Sequence, residues 1–278
     1  MPFTENNGLR LHWQESGQGT PVLLIMGHRY SSAMWHPILP ALAAEHRVIS
    51  FDNQGTGQSG ARRRTSVAEM VADALAVMDA AGAPSAHIFG VSMGGGLALE
   101  LAIRHPRRAA SLLLGCTCIL TADKPRMPAW MRLFYRLPTP LLRTLFPNRS
   151  PNHGYGSAAP ADAIANDEAY EAKDKFDVTG VIAQAAAISA YVNTKEAVAA
   201  LAIPALVLHG DEDATVPYAW GVELAETLPG ARLITVEGAG HNFFIAGGQR
   251  VNDQVLAFIR GVDAAHAQSA IEEKPDGG

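Results

Sequence analysis

The stretch His87-Ile88-Phe89-Gly90-Val91-Ser92-Met93-Gly94-Gly95-Gly96-Leu97-Ala98-Leu99 decides how the chain is read. Its first half, His87 to Val91, is a short apolar run of the kind that forms a buried strand. Its second half is rich in Ala and Leu and predicts a helix from about Met93 to His105, stopped by Pro106. Between them Gly90-Val91-Ser92-Met93-Gly94 fits G-x-S-x-G. That pattern requires a sharp strand-to-helix turn, which lifts the serine hydroxyl above the sheet. Glycines flank the serine at two residues on either side because such a turn is crowded. A glycine-rich helix start with an incidental serine is the plain alternative, and it leaves the preceding strand unexplained.

Outward from this turn, strands and helices alternate. Leu9, Leu11 and Trp13 alternate with polar residues after the turn pair Asn7-Gly8, which predicts a hairpin. Val22 to Met26 and His46 to Phe51 read as buried strands, with a helix between about Ala33 and Glu45. Ser66 caps a helix to about Ala81, with Glu69 placed for a capping box and Gly82 and Pro84 after its end. Ala110 to Leu114, Ala205 to Leu208 and Arg232 to Val236 are further strands. A last helix is expected from about Gly248 to Arg260. Such alternation predicts a mostly parallel sheet covered by helices on both faces. From Cys118 to Ala197 the strand signal is lost, and the segment reads as an inserted helical cap. The expected organisation is therefore a core of 1–117 and 198–263, a cap of 118–197, and a disordered tail of 264–278.

Composition narrows the function. The 278 residues carry a net charge of −5, which argues against nucleic acid as a partner. No apolar run approaches the ~20 residues of a membrane span, and the first residues lack the order of a secretory signal. A cytoplasmic protein is the expectation. The two cysteines, Cys116 and Cys118, read as buried thiols in a reducing compartment. If they lie on a strand, they share one face. No metal site is suggested.

A serine hydroxyl needs a base to act as a nucleophile at neutral pH. Among the ten histidines, His241 stands out. It follows the last strand in Glu237-Gly238-Ala239-Gly240-His241, at the carboxyl end of the sheet, where ligands of open α/β sheets bind. The base in turn needs a carboxylate. Asp211, Glu212 and Asp213 follow the strand Ala205 to Leu208, so the chain order is serine, acid, histidine.

Gly90 to Gly94, His209 to Asp213 and Gly238 to His241 together resemble the three catalytic segments of the α/β-hydrolase superfamily, over roughly residues 3 to 262. The resemblance implies an eight-stranded, mostly parallel sheet of the α/β-hydrolase fold. It places the acid three residues after Gly210, which selects Asp213 and leaves Asp211 to the turn. It also implies an oxyanion hole from two backbone amides. Met93 supplies one, as the residue after the nucleophile. His28 supplies the other, from Met26-Gly27-His28, where members often carry His-Gly. Gly27 and the His28 side chain are expected against the substrate.

The loop Asp52-Asn53-Gln54-Gly55-Thr56-Gly57-Gln58-Ser59 is similar to that of small esterases and enol-lactonases, including aclacinomycin methylesterase-like and 3-oxoadipate enol-lactonase-like enzymes. Many of those carry Arg where this chain has Gln54. The same loop fits G-x-G-x-x-G. A dinucleotide site needs the helix to open at the glycines, and here Ala61-Arg62-Arg63-Arg64 intervenes. In the cap, Trp130 and Phe134 are the expected apolar substrate contacts. The reading is a cofactor-free serine esterase or lactonase acting on a mostly apolar small molecule. A carbon–carbon bond hydrolase and a ligand-binding protein on the same scaffold are the alternatives. Oligomeric state is left open.

Overall fold

The computed structural model describes residues 2–124 and 154–272. Trp130 and Phe134 therefore lie outside the described residues. The strands are β1 (Phe3–Asn6), β2 (Leu9–Ser16), β3 (Pro21–Ile25), β4 (Arg47–Phe51), β5 (Ala86–Val91), β6 (Ala109–Gly115), β7 (Ala205–Gly210) and β8 (Arg232–Val236). They form one eight-stranded sheet in the order β1-β2-β4-β3-β5-β6-β7-β8. The pairs β1–β2 and β2–β4 are antiparallel, and the rest are parallel. The described helices are α1 (Leu39–Ala43), α2 (Val67–Ala80), α3 (Met93–Arg104), α4 (Ala161–Glu171), α5 (Val178–Ala190), α6 (Lys195–Ala199), α7 (Tyr218–Thr227) and α8 (Phe243–Glu272).

The central strands read as unbroken apolar runs because both faces are covered. Leu23, Ile25, Ile88, Leu112, Leu114 and Val207 point into one core with α2 and α3 residues such as Met70, Val77, Leu97 and Leu101. Their neighbours Val22, Leu24, Phe89, Leu113, Leu206 and Leu208 pack on the other face with Trp35, Ile38, Leu42, Phe244, Val255 and Ile259. A strand buried on both sides shows no polar alternation.

Local signals explain the element ends. Asn7 and Gly8 both have positive φ, as a two-residue hairpin turn requires. Ser66 Oγ accepts from the Glu69 amide at 3.2 Å, and the Glu69 carboxylate accepts the Ser66 hydroxyl at 3.0 Å.

The helix expected between about Ala33 and Glu45 is the five-residue α1, with Pro40 in its first turn, and a 3-10 turn, Ser32–Trp35, precedes it. Other expectations are corrected. The last helix begins at Phe243, breaks at Gly248 (φ 48°, ψ −135°) and runs to Glu272. Residues 264–272 are thus helical where a disordered tail was expected. Small residues such as Ala264, Ala265 and Ala267 favour helix once the apolar face before them is docked. Cys116 and Cys118 are buried thiols that form no disulfide, as expected, but they follow β6 rather than lying on it, and Cys116 has φ 42°.

Candidate active site

Parallel register aligns the carboxyl ends of four strands. Ile25 pairs with Gly90, Gly90 with Leu114 and Leu114 with Val207. The segments that leave these strands, together with the loop after β8, therefore emerge at one edge, the crevice where open α/β sheets hold ligands. Ser92, Gly27, Asp213 and His241 all lie in these segments.

Ser92 adopts φ 53° and ψ −120°, between β5 and α3. A non-glycine residue there carries strain of about 1–3 kcal/mol, which the surroundings must impose. The Ser92 amide donates to the Gly115 carbonyl at 2.8 Å, and its carbonyl accepts the Thr117 hydroxyl at 2.9 Å. The flanking glycines are sterically required. A Cβ on Gly90 would stand 2.2 Å from the Gly94 carbonyl oxygen, and one on Gly94 would stand 2.0 Å from that of Ile25. Met93 opens α3, so helical geometry leaves its amide without an intrahelical acceptor.

Gly27 lies against the serine, since a Cβ there would come within 3.4 Å of Ser92 Cβ. The loop it belongs to is held from two sides. Asn53 Nδ2 donates to the Met26 carbonyl at 2.9 Å. The Arg29 amide donates to Gln184 Oε1 of α5 at 3.1 Å. His28 is placed beside them, and its Nε2 meets the Val181 carbonyl of α5 at 3.0 Å. The side chain thus ties its loop to α5. Burial holds the His28 pKa below the ordinary histidine value.

His241 Nδ1 lies 2.8 Å from Asp213 Oδ2. The carboxylate is fully buried, whereas the His241 side chain is 23% exposed. Asp213 Oδ1 accepts the Thr215 amide at 2.7 Å and the Val216 amide at 2.9 Å. Burial pushes the Asp213 carboxyl up, but His209, His241 and the Val216 amide outweigh it and hold it well below the ordinary range. An ionised acceptor puts the His241 proton on Nδ1 and leaves Nε2 with its lone pair. Asp211 does something else. Its Oδ1 accepts the Gly238 amide at 2.7 Å, so it serves the turn.

Residues 154–158 reach the loops that carry Asp213 and His241. The Gly240 amide donates to the Tyr155 carbonyl at 2.9 Å, and the Asn242 amide to that of Gly154 at 2.6 Å. The Ala158 amide donates to the Gly238 carbonyl at 2.9 Å, and the Ser157 amide to Glu212 Oε2 at 2.7 Å. Gly156 makes this crossing possible. It has φ 84°, and a Cβ on it would lie 2.2 Å from the Gly238 carbonyl oxygen. Asp167 of α4 completes the brace. It is buried and meets His36 Nε2 at 2.7 Å, the Tyr155 hydroxyl at 3.0 Å and Asn242 Nδ2 at 2.7 Å.

Sequence reasoning missed Thr117, Asp167, His209 and Asn242. Only His209 and Asn242 had a signal, their adjacency to the candidate segments. The glycine loop is structural. Gly55 (φ 81°) abuts Gly180, and Gly57 (φ 53°) abuts the Asp52 carboxylate. Gln54 is buried, with its amide group on the Gly180 carbonyl at 3.2 Å and the Arg62 amide at 2.8 Å. Among the described residues, Cys116, His209 and Asp213 form one set with metal-ligand types in reach of each other. The Asp213 oxygens in that set are already taken up by Thr215, Val216 and His241.

The alpha/beta hydrolase fold family profile matches residues 20–247. RutD of Azorhizobium caulinodans, named provisionally as a carbamate hydrolase, is 30% identical over 95% of this chain and 100% of its own. The enol-lactonase of Burkholderia xenovorans LB400 superposes with a TM-score of 0.80 at 25% identity, covering 93% of this chain and 100% of the other. The meta-cleavage product hydrolase CumD of Pseudomonas fluorescens IP01 gives 0.77 at 25% identity, covering 94% and 98%.

Proposed function

The chain belongs to the alpha/beta hydrolase fold family, and on that footing we propose that this enzyme is a serine hydrolase cleaving a carboxylic ester or lactone of a mostly apolar small molecule. The observation that carries the reading is the 2.8 Å contact of His241 Nδ1 with the buried Asp213 carboxylate, at the sheet edge that also bears the strained Ser92.

Ser92 Oγ attacks the substrate carbonyl carbon while His241 Nε2 takes the hydroxyl proton. The Met93 and His28 amides receive the developing oxyanion, which is where fixed dipoles stabilise a transition state most. The carbon–oxygen bond to the leaving group breaks, and His241 delivers its proton to that oxygen. A water molecule, deprotonated by His241, then attacks the acyl-enzyme and releases the acid and Ser92. Asp213 orients the imidazole and stabilises its protonated form throughout. No step requires a cofactor. The aromatic residues Trp130 and Phe134 of the inserted segment favour an apolar substrate.

A second reading is favoured by the relatives. Several are named provisionally as carbamate hydrolases, and the same residues would cleave a carbamate carbonyl–nitrogen bond. Hydrolysis of a panel of p-nitrophenyl esters, lactones, a carbamate and a carbon–carbon substrate by the wild type and Ser92→Ala tests both. Ester or lactone turnover that is lost in Ser92→Ala supports the reading. Turnover confined to the carbamate moves the assignment to the second reading, and turnover confined to the carbon–carbon substrate overturns both.

A further inference from the structure

His209 is the fifth residue of β7, and its imidazole is fully buried beside the acid. Nε2 stands 2.9 Å from the Val216 carbonyl oxygen and 3.3 Å from Asp213 Oδ2, the oxygen that also receives His241. Nδ1 has no hydrogen-bond partner. It lies against Gly221 of α7, where an added Cβ would come within 2.1 Å. A buried N–H without an acceptor is costly, so the proton belongs on Nε2 and the ring is neutral. The positive end of that N–H dipole faces the carboxylate.

We propose that His209 is a positioning residue that sets both the orientation of Asp213 and the basicity of His241, a role that rests on the serine-hydrolase reading above. Its contact with the Val216 carbonyl, and the Val216 amide's bond to Asp213 Oδ1, close the turn around the acid. Its dipole also withdraws charge from Oδ2. Less charge there stabilises protonated His241 less, so His209 keeps the base unprotonated to lower pH than Asp213 alone would. The other titratable groups facing this centre are Tyr218 of α7, edge-on to His209 at 6.0 Å, and Cys116 after β6, whose thiol burial keeps protonated.

The test is the pH dependence of Ser92 modification by phenylmethanesulfonyl fluoride. In that reaction the Ser92 Oγ–sulfur bond forms, the sulfur–fluorine bond breaks, fluoride leaves and the hydroxyl proton passes to His241. His209→Leu is expected to move the midpoint of the rate up by about half to one pH unit and to lower the plateau by roughly tenfold. His209→Gln, which keeps an N–H donor, is expected to restore the wild-type midpoint. If His209→Leu does not fold, Gly221→Ala displaces the ring and is expected to give the same shift. An unchanged midpoint and plateau in a folded ring-displacing variant would overturn the proposal. Modification that survives Ser92→Ala, or its absence from wild type, would instead overturn the serine-hydrolase reading itself.

Discussion

Asn242 Nδ2 donates to Asp167 Oδ2 at 2.7 Å, joining the residue after His241 to a helix 75 residues earlier in the chain. Asp167 is 2% exposed and also meets His36 and the Tyr155 hydroxyl. Three polar groups thus converge on one buried carboxylate.

Truncating that carboxylate tests how far the base depends on the inserted segment. Asp167→Ala leaves the Asn242 amide and the Tyr155 hydroxyl without their acceptor and is expected to cost about 2–4 kcal/mol, read as a fall in the urea midpoint. Loosening the His241 loop is expected to lower kcat by up to ~10²-fold. Asp167→Asn, which keeps one oxygen acceptor, is expected to lose less of both.

Asp211 and Asp213 are two residues apart, and the structure gives them different work. Asp213→Asn is expected to lower kcat by about 10⁴-fold, because an amide does not hold the required His241 tautomer. Asp211→Ala removes a turn contact at the exposed Gly238 amide and is expected to leave kcat within a few fold. Steady-state kinetics of the pair distinguishes them.

Asp213 also couples stability to pH. Its folded pKa is held below the ordinary carboxylate value by His209, His241 and the Val216 amide, against the opposing effect of burial. A depressed carboxylate contributes stability that is fully present above the unfolded value of about 3.9 and is lost as pH falls through the folded pKa. The stability difference between wild type and Asp213→Asn is therefore expected to shrink as pH falls below about 4. Urea unfolding at a series of pH values measures it.

Much of this was legible in the sequence for physical reasons. The strands β3 to β7 are buried on both faces and so read as uninterrupted apolar runs. Ser92 was legible because a crowded turn admits only glycine at positions 90 and 94, and His241 because it follows a strand end, whereas the end of β7 left Asp211, Glu212 and Asp213 open and only the family resemblance selected Asp213. Asp167 was not legible. It sits among Asp162, Glu168 and Glu171 in α4, and only tertiary packing separates the buried acid from its less buried neighbours. The course of 264–272 was hidden for a similar reason, since small polar residues extend a helix only when a docked apolar face precedes them.

The elbow glycines give a steric prediction. A methyl on Gly94 would stand 2.0 Å from the Ile25 carbonyl oxygen, which is backbone in the central sheet. Gly94→Ala is expected to cost about 3 kcal/mol or more. Gly261→Ala, where nothing lies within 4 Å of the added Cβ, is expected to be neutral or slightly stabilising. Thermal unfolding of the two variants checks the contrast.

The most direct test of the serine hydrolase is to treat the protein with a fluorophosphonate, which is attacked by an activated hydroxyl, and to read the adduct by intact mass and peptide mapping. One adduct per chain is expected, on the peptide carrying Ser92, absent in Ser92→Ala and slowed by at least ~10³-fold in His241→Ala. An adduct that persists in Ser92→Ala, or a wild-type protein that takes none, would contradict it.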